Sequence, residues 1–352
     1  IFIDLVSDGD IAAITSPSEP LVVEPTDVFP VVAQSLSNAN LTLFIDNAIV
    51  AEAFDTTIVE YEVNVADYGT GTHQIKLEAV FTETTIYDST IFTIISDPEI
   101  LPVPNGIKEG INVNPDQLNS ATFNLFAPGK QHIYLLGDFN NWQVNADYLL
   151  NNDPSGDFHW IEITDLDPEF EYGFQYFILE DNLRFADPYS QKILDPWNDQ
   201  WIPEETYPNL KPYPVGQTTG IVGTFMTDQP VFDWTDEGYV RPDENNLIVY
   251  ELLIRDYLDA HDYQTLTDTL DYLESLGINA IELMPVNEFE GNVSWGYNPD
   301  YYFAPDKYYG PKQDYQSFIN ECHERGIAVI MDIALNHSFG LSPQVMMYFD
   351  PS

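Results

Sequence analysis

"IAVIMDIALNHS", residues 327–338, indicates the architecture of the C-terminal part of the chain. Its apolar run from Ile327 to Leu335 is typical of a buried strand, and Asp332 interrupts that run. An ionised carboxylate in an apolar interior is costly unless it is paired or hydrogen-bonded. We therefore expect Asp332 to have a partner, which is either structural, such as a buried arginine or a neighbouring loop, or part of a functional site.

The segments before this strand alternate between two patterns. Apolar runs at 247–254 and 278–285 are each followed by a helical pattern, and these patterns stop at Gly277 and Gly326. The predicted inward positions of the two helices are Leu266, Leu270, Leu273 and Leu276, then Tyr315, Phe318, Ile319 and Cys322. This alternation predicts a parallel sheet covered by helices, closed either as a doubly wound sheet or as a barrel.

The rest of the chain has the two-residue period of β-strands. In residues 1–100 this period places Leu41, Leu43 and Ile45 on one face, and we predict an immunoglobulin-like β-sandwich. Short alternating strands between proline-rich connections predict a second β-sandwich over residues 101–235. The third domain, with the parallel sheet, is expected over residues 236–352.

Composition excludes several classes of partner. The 58 acidic residues against 11 basic ones give a net charge of −47, which excludes nucleic acid as a main partner. No apolar run approaches the roughly 18 residues of a membrane span, so we expect no membrane insertion. The single cysteine, Cys322, excludes an internal disulfide. The acidic surface and a start at Ile1 favour a processed or trimmed exported protein, located extracellularly, at the cell surface or in the periplasm.

A long aromatic segment, residues 285–313, leaves the carboxyl end of the second predicted parallel strand. Loops of this length in compact domains are usually functional, and α/β proteins build their sites at this face. Aromatic rings suit the apolar faces of sugars, although rings beneath a long loop also simply pack together. Trp295 and Tyr297 are the stronger candidates, because they flank Gly296, where backbone can approach closely.

Two more polar candidates follow Asp332 along the chain. The alternation of this strand places Asp332 and Asn336 on one face, and we expect Asn336 and His337 to emerge at the rim. Alone, Asn336 would be an ordinary turn residue and His337 a surface histidine. An acid, an amide and an imidazole beside an aromatic loop together predict a binding site.

Four stretches resemble glycoside hydrolase family 13, the α-amylase family, and the likeness extends to amylase-type proteins of Bacteroidetes. They are "LIVYELLIRDY" (247–257), "LGINAIELMPV" (276–286), "WGYNPDYYFAPDKYYG" (295–310) and "MDIALNHS" (331–338). The resemblance implies that residues 247–352 supply the first three β/α units of a (β/α)8 barrel. The rest of that barrel is then an expected partner.

Three further stretches resemble the family 48 carbohydrate-binding module that precedes the barrel in branching enzymes, isoamylases and pullulanases. They are "LLGDFNNW" (135–142), "YGFQYFI" (172–178) and "ADPYS" (186–190). Such modules can bind α-glucan, often through tryptophan, which makes Trp142 and Trp160 candidates. In many of these modules, however, the tryptophan of "NNW" is a core residue.

The resemblance also implies roles for the barrel residues. Tyr297 would stack on the sugar before the cleaved bond, and Trp295 lies beside it. His337 would hydrogen-bond that sugar, and Asp332 would orient an arginine on the next strand. Asn336 matches a ligand of a structural calcium ion in many amylases, and its amide oxygen suits that hard cation. No organic cofactor is expected.

The chain departs from the family in its catalytic carboxylates. The family's nucleophile, acid/base and transition-state stabilising acid come from the fourth, fifth and seventh strands, and no residue here matches them. We expect a larger retaining enzyme that cleaves α-1,4 bonds of starch, glycogen or maltooligosaccharides internally, and an inactive chain without the missing part. The alternatives are a glycogen branching or debranching enzyme and a non-catalytic glucan-binding protein.

Overall fold

The computed structural model describes residues 10–349. These residues form two compact units, where the sequence predicts three domains. The first unit holds the residues up to Glu99 together with Gln143–Leu149, and the second holds Ile100–Trp142 and everything from Leu150 onward. The predicted second sandwich and the predicted parallel sheet therefore share one unit.

Six strands build the first unit. They are β1 (Ala12–Ser16), β2 (Leu21–Val23), β3 (Val28–Ile45), β4 (Ala48–Asn64), β5 (Gly71–Val80) and β6 (Thr85–Ile94). The order is β1-β3-β5-β6-β2, with β4 also paired to β3. Leu41, Leu43 and Ile45 are buried, which confirms the predicted inward face. All six strands are connected by hydrogen bonds, because β3 is long enough to pair with both β1 and β5. The immunoglobulin-like sandwich stays a prediction.

Nine strands in two antiparallel sheets form the β-rich part of the second unit. They are β7 (Gly110–Asn114), β8 (Gln117–Phe126), β9 (Ile133–Gly137), β10 (Asn151–Asn152), β11 (Phe158–Ile163), β12 (Tyr172–Ile178), β13 (Leu183–Phe185), β14 (Ile193–Leu194) and β15 (Val222–Phe225). One sheet has the order β10-β11-β8-β7; the other is β13-β12-β15-β14, with β9 beside β12. The Phe123 ring lies 5.1 Å from those of Phe174 and Phe225, so the two sheets pack face to face.

The parallel sheet contains β16 (Val249–Leu252), β17 (Ala280–Leu283) and β20 (Ala328–Met331), in that order. The intervening antiparallel pair consists of β18 (Asn287–Phe289) and β19 (Pro299–Pro305). The helices are α1 (Ile254–Tyr257), α2 (Tyr263–Asp268), α3 (Leu270–Ser275), α4 (Lys312–Glu324) and α5 (Pro343–Tyr348). In residues 10–349 no helix has both the length and the apolar character that crossing a bilayer requires.

Three local predictions in this part are wrong. The first predicted helix is divided between α2 and α3 at Thr269, whose hydroxyl donates to the Leu266 carbonyl at 2.7 Å and competes with the helical hydrogen bonds. Leu276, predicted inward, is 47% exposed. The strand predicted through Leu335 stops at Met331, and Leu335 is exposed. Because β20 ends at Met331, the candidate site residues that follow it do not lie on a strand.

Candidate functional site

The candidate site lies at the carboxyl ends of β17 and β20, where the aromatic loop meets the segment after β20. The hydroxyl of Tyr297 donates to Asp332 Oδ2 at 2.5 Å. Tyr302 donates to the backbone carbonyl of His337 in the same segment. These two bonds join stretches that are 35 residues apart in sequence. The loop is also more ordered than the sequence predicts, because it contains the β18–β19 pair.

Asp332 occupies a different environment from the one predicted. It lies one residue beyond β20 and is half-buried, with its backbone N–H donating to the carbonyl of Leu283 at 2.9 Å. The hydrogen bond to Asp332 raises the pKa of Tyr297 to about 12, and desolvation and the charge of Asp332 add to the shift. Tyr297 therefore stays protonated as the donor at neutral pH. The residue is 39% exposed, so part of it is accessible to a ligand.

Two glutamates that the sequence reasoning missed lie near this pair. Glu251 of β16 and Glu282 of β17 are direct neighbours in the parallel register, and their charges also raise the pKa of Tyr297. Alternation places both on the sheet face opposite to Leu252 and Leu283, which pack against the helices. The sequence contains a signal for both, since each glutamate interrupts an apolar run, as Asp332 does.

The backbone around Gly296 approaches a neighbouring turn, as the sequence predicts. Gly296 has a φ of +84°, and a Cβ there would lie 2.4 Å from the Pro285 carbonyl oxygen. Its N–H donates to Ser294 Oγ at 3.0 Å, and the Ser294 carbonyl accepts from Arg255 Nη1 at 3.2 Å. Trp295, on the same turn, is 60% exposed. The turn thus presents an indole and a phenol on either side of a glycine.

His337 and Asn336 lie in the segment after β20, and both are exposed. Their predicted alternation with Asp332 does not apply, because the strand has already ended at Met331. Within residues 10–349 no group of three or more His, Cys, Asp or Glu side chains is placed to hold a metal ion. Calcium binding at Asn336 and sugar binding at His337 stay predictions.

Two segments of the chain match models of known protein families. Residues 231–348 match the family model of the α-amylase catalytic domain. This segment belongs to the α-amylase family. Residues 109–197 match carbohydrate-binding module 48, the N-terminal domain of isoamylases. Tyr297, Asp332, Glu251 and Glu282 all fall within the α-amylase segment.

Two curated relatives are similar to part of the chain. A malto-oligosyltrehalose trehalohydrolase of Saccharolobus solfataricus is 34% identical over 157 residues, which are 45% of this chain and 26% of the relative. The 1,4-α-glucan branching enzyme GlgB of Cupriavidus pinatubonensis is 30% identical over 251 residues, 67% of this chain and 31% of the relative. The chain thus spans less than a third of either relative.

The fold of the chain is similar to part of a solved structure. The pullulanase SAP of group B Streptococcus, crystallised with maltotetraose, matches with a TM-score of 0.50 and 16% identity. The match covers 88% of this chain and 44% of the pullulanase chain.

The module 48 segment does not present its two candidate tryptophans as open platforms. Trp142 is 3% exposed and donates through Nε1 to Asp138 Oδ1 at 3.1 Å, so it is a core residue in this structure. Trp160 is half-buried and donates to the Leu101 carbonyl at 3.0 Å. Trp142 packs against β12, where a Cβ at Gly173 would come within 3.2 Å of the indole ring.

A buried ion cluster joins the α-amylase segment to the turn Asp199–Trp201. Lys307 is 2% exposed, and its Nζ lies 2.5 Å from Glu288 Oε1 and 3.2 Å from Asp199 Oδ1. Burial opposes the charged ammonium, but the nearby carboxylates outweigh it and raise the pKa of Lys307. Because Glu288 lies in β18, the cluster fixes one end of the aromatic loop against the β-rich part.

Proposed function

We propose that the protein acts on α-glucans and hydrolyses internal α-1,4 bonds of starch, glycogen or maltooligosaccharides with retention. The observation that carries this proposal is the hydrogen bond from Tyr297 to Asp332 inside the α-amylase segment. It holds an exposed aromatic ring at the carboxyl ends of parallel strands, which is where barrel enzymes bind their substrates.

We assign the binding and orientation of a sugar to Tyr297 and Asp332. A tyrosine ring that is held through its hydroxyl has little freedom to rotate away, so it can stack on a sugar at a low cost in entropy. Cleavage by retention passes through a transition state with positive charge on the sugar ring. The carboxylates of Asp332, Glu251 and Glu282 give this face a negative potential, which favours such charge.

The bond-breaking carboxylates are expected elsewhere in the whole protein. Retention needs a nucleophile and an acid/base about 5 Å apart, and we assign neither role to a residue of this chain. His337 is proposed to hydrogen-bond the sugar that stacks on Tyr297.

A second candidate is a glycogen branching or debranching enzyme. The favouring observation is that the match to the branching enzyme covers 67% of this chain and extends beyond the α-amylase segment. A third candidate, of another class, is a protein that binds glucan without cleaving it.

Incubation of the intact protein with amylose and with pullulan, together with an affinity gel that contains glycogen, separates the three candidates. Incubation with amylose should release reducing ends if the protein is an endo-acting hydrolase. New α-1,6 branches without reducing ends would replace that proposal with a branching enzyme, and cleavage restricted to pullulan would replace it with a debranching enzyme. Retarded migration in a glycogen gel without any product would indicate a binding protein.

A further inference from the structure

A cavity of about 350 Å³ lies between α4 and the β18–β19 pair. Its volume is within the range of sites that bind small molecules. The side chains that line it do not include Tyr297, Asp332 or His337, so the cavity is separate from the candidate sugar site.

One face of α4 forms a wall of this cavity. Four residues of the helix line it, and they are spaced by three, four and seven positions: Lys312, Tyr315, Gln316 and Ile319. This spacing places them on the same side of a helix. Lys312 and Tyr315 are therefore neighbours on that face, and their polar ends can contact one group of a ligand.

The opposite wall is apolar and contains two aromatic rings, those of Trp234 and Phe303. The Phe303 ring stacks on Tyr189 with 4.9 Å between the ring centroids. The Trp234 ring lies 4.8 Å from that of Phe232, edge to face. Because both rings are held by a second ring, the wall is preorganised for a flat apolar body.

Two buried polar atoms of the wall have no hydrogen-bond partner within the part of the chain that the structure describes. They are Oδ1 of Asn287, which is 6% exposed, and the hydroxyl of Tyr315, which is 7% exposed. Nδ2 of the Asn287 amide donates to the Tyr302 carbonyl at 2.5 Å, so Oδ1 is left as an acceptor. Burial raises the pKa of Tyr315 to about 12, which keeps its hydroxyl protonated as a donor. A buried polar group without a partner is unfavourable, so a ligand that pairs with both atoms would be stabilised.

Lys312 adds a cation to the cavity. Its Nζ donates to the neutral Gln191 Oε1 at 2.7 Å, and among the described residues it forms no ion pair with a carboxylate. Lys192, by contrast, lies 2.9 Å from Glu171. An ammonium has three N–H donors, and the contact with Gln191 uses one of them. The net charge of −47 opposes anions in general, so a bound carboxylate needs a local cation of this kind.

We propose that this cavity binds a small aromatic carboxylate that carries a ring hydroxyl. The carboxylate accepts from Lys312 Nζ and from the Tyr315 hydroxyl, and the ring lies against the aromatic wall. The ring hydroxyl donates to Asn287 Oδ1. The proposal does not depend on the proposed action on α-glucans.

The test is calorimetric titration of the intact protein with 4-hydroxybenzoate as the probe. We expect saturable binding by the wild type, and affinities about tenfold lower for Lys312→Met and for Tyr315→Phe, because each variant removes a donor to a charged group. Tyr309→Phe is the matched control. Among the described residues the Tyr309 hydroxyl is also buried without a partner, but Tyr309 does not line the cavity, so the affinity should be unchanged. No saturable binding by the wild type, or equal affinities in all four proteins, overturns the proposal.

Two analogues of the probe test the assignment of its polar groups. 4-Hydroxybenzamide has no charge, and Lys312→Met should therefore bind it about as well as the wild type does. Benzoate lacks the ring hydroxyl that would pair with Asn287, and the wild type should bind it about three- to tenfold more weakly than 4-hydroxybenzoate. Wild-type affinities that are equal for all three compounds contradict the proposed recognition.

Tryptophan fluorescence locates the probe without relying on a destabilising change. 4-Hydroxybenzoate should quench the fluorescence of the wild type and of W201F, since Trp201 does not line the cavity, and W234F should lose most of this quenching. Full quenching in W234F overturns the proposal. Maltoheptaose should leave the affinity for 4-hydroxybenzoate unchanged, and displacement of the probe would place it at the sugar site instead.

This proposal and the proposed function fail in different ways. If the intact protein cleaves no α-glucan but binds 4-hydroxybenzoate in a manner that depends on Lys312 and Tyr315, the enzymatic proposal fails and the cavity proposal stands. If the protein cleaves amylose and does not bind the probe, the cavity proposal fails and the enzymatic proposal stands.

Discussion

Tyr297 donates its hydroxyl to Asp332 across 2.5 Å, and the bond joins the aromatic loop to the segment after β20. It answers why a carboxylate follows an apolar strand: in this structure the partner of Asp332 is a tyrosine from a neighbouring loop. The arginine partner implied by the family resemblance stays a prediction. Because the donor is itself a candidate sugar platform, the acid serves to position the ring.

Tyr297→Phe should separate the contribution of the hydroxyl from that of the ring. The variant keeps the ring but loses its anchor, so we expect kcat/KM of the intact protein on maltoheptaose to fall about three- to tenfold, the range for one hydrogen bond. Tyr297→Ala removes the ring as well and should lower kcat/KM further. Equal losses in the two variants would show that the ring contributes nothing beyond its hydroxyl.

Asp300 should make stability depend on pH. It is 4% exposed, and burial together with the charge of Glu290 raises its pKa to about 7. The folded state therefore binds this proton more tightly than the unfolded state, whose carboxyl titrates near 4. The stabilisation that comes from this tighter proton binding is fully present below pH 4 and is lost as the pH rises through 7.

Asp300→Asn mimics the protonated form and removes that loss. At pH 8 we expect it to raise the free energy of unfolding by up to about 4 kcal/mol, at about 1.4 kcal/mol per pKa unit. Near pH 4 the difference from the wild type should vanish, as chemical denaturation at both pH values would show. The exposed control Asp116→Asn should behave like the wild type at both. A gain at pH 4 as large as at pH 8 contradicts this account.

What the sequence predicted correctly depends on local periodicity. Leu41, Leu43 and Ile45 are buried because successive side chains alternate across any pleated strand. Gly277 and Gly326 end their helical patterns with φ of +75° and +73°, which is a local steric preference. Such features need no knowledge of distant partners.

What the sequence missed depends on pairing between distant strands. The end of β20 is set by its neighbour, since Met331 pairs with Leu283, the last residue of β17. The proximity of Glu251 and Glu282 likewise follows from the register of β16 on β17. Tyr297 and Asp332 were both candidates, but the bond between them depends on a loop path that no periodicity encodes.

Lys307→Met should strongly destabilise the protein. It leaves the carboxylates of the buried Glu288 and the half-buried Asp199 without their cation, and breaking a buried pair on one side typically costs about 3–5 kcal/mol. Urea unfolding of the intact protein measures the loss. Lys312→Met is the control: this ammonium donates to Gln191 and is only half-buried, so we expect a change below about 1 kcal/mol. A loss below about 1 kcal/mol in Lys307→Met as well would mean that the ion cluster contributes little stability.

Gly296→Ala should disturb the turn that presents Trp295 and Tyr297. Alanine would be strained at a φ of +84°, at a cost of about 1–2 kcal/mol, and its Cβ would also meet the Pro285 carbonyl. Gly291→Ala is the matched control, since Gly291 has a φ of +77° but open space around its Cβ position. We therefore expect Gly296→Ala to lower the free energy of unfolding by at least about 1 kcal/mol more than Gly291→Ala. It should also raise KM for maltoheptaose, because the backbone between the two aromatic residues must shift. Equal stability and equal KM in the two variants would show that the close approach at Pro285 does not shape the site.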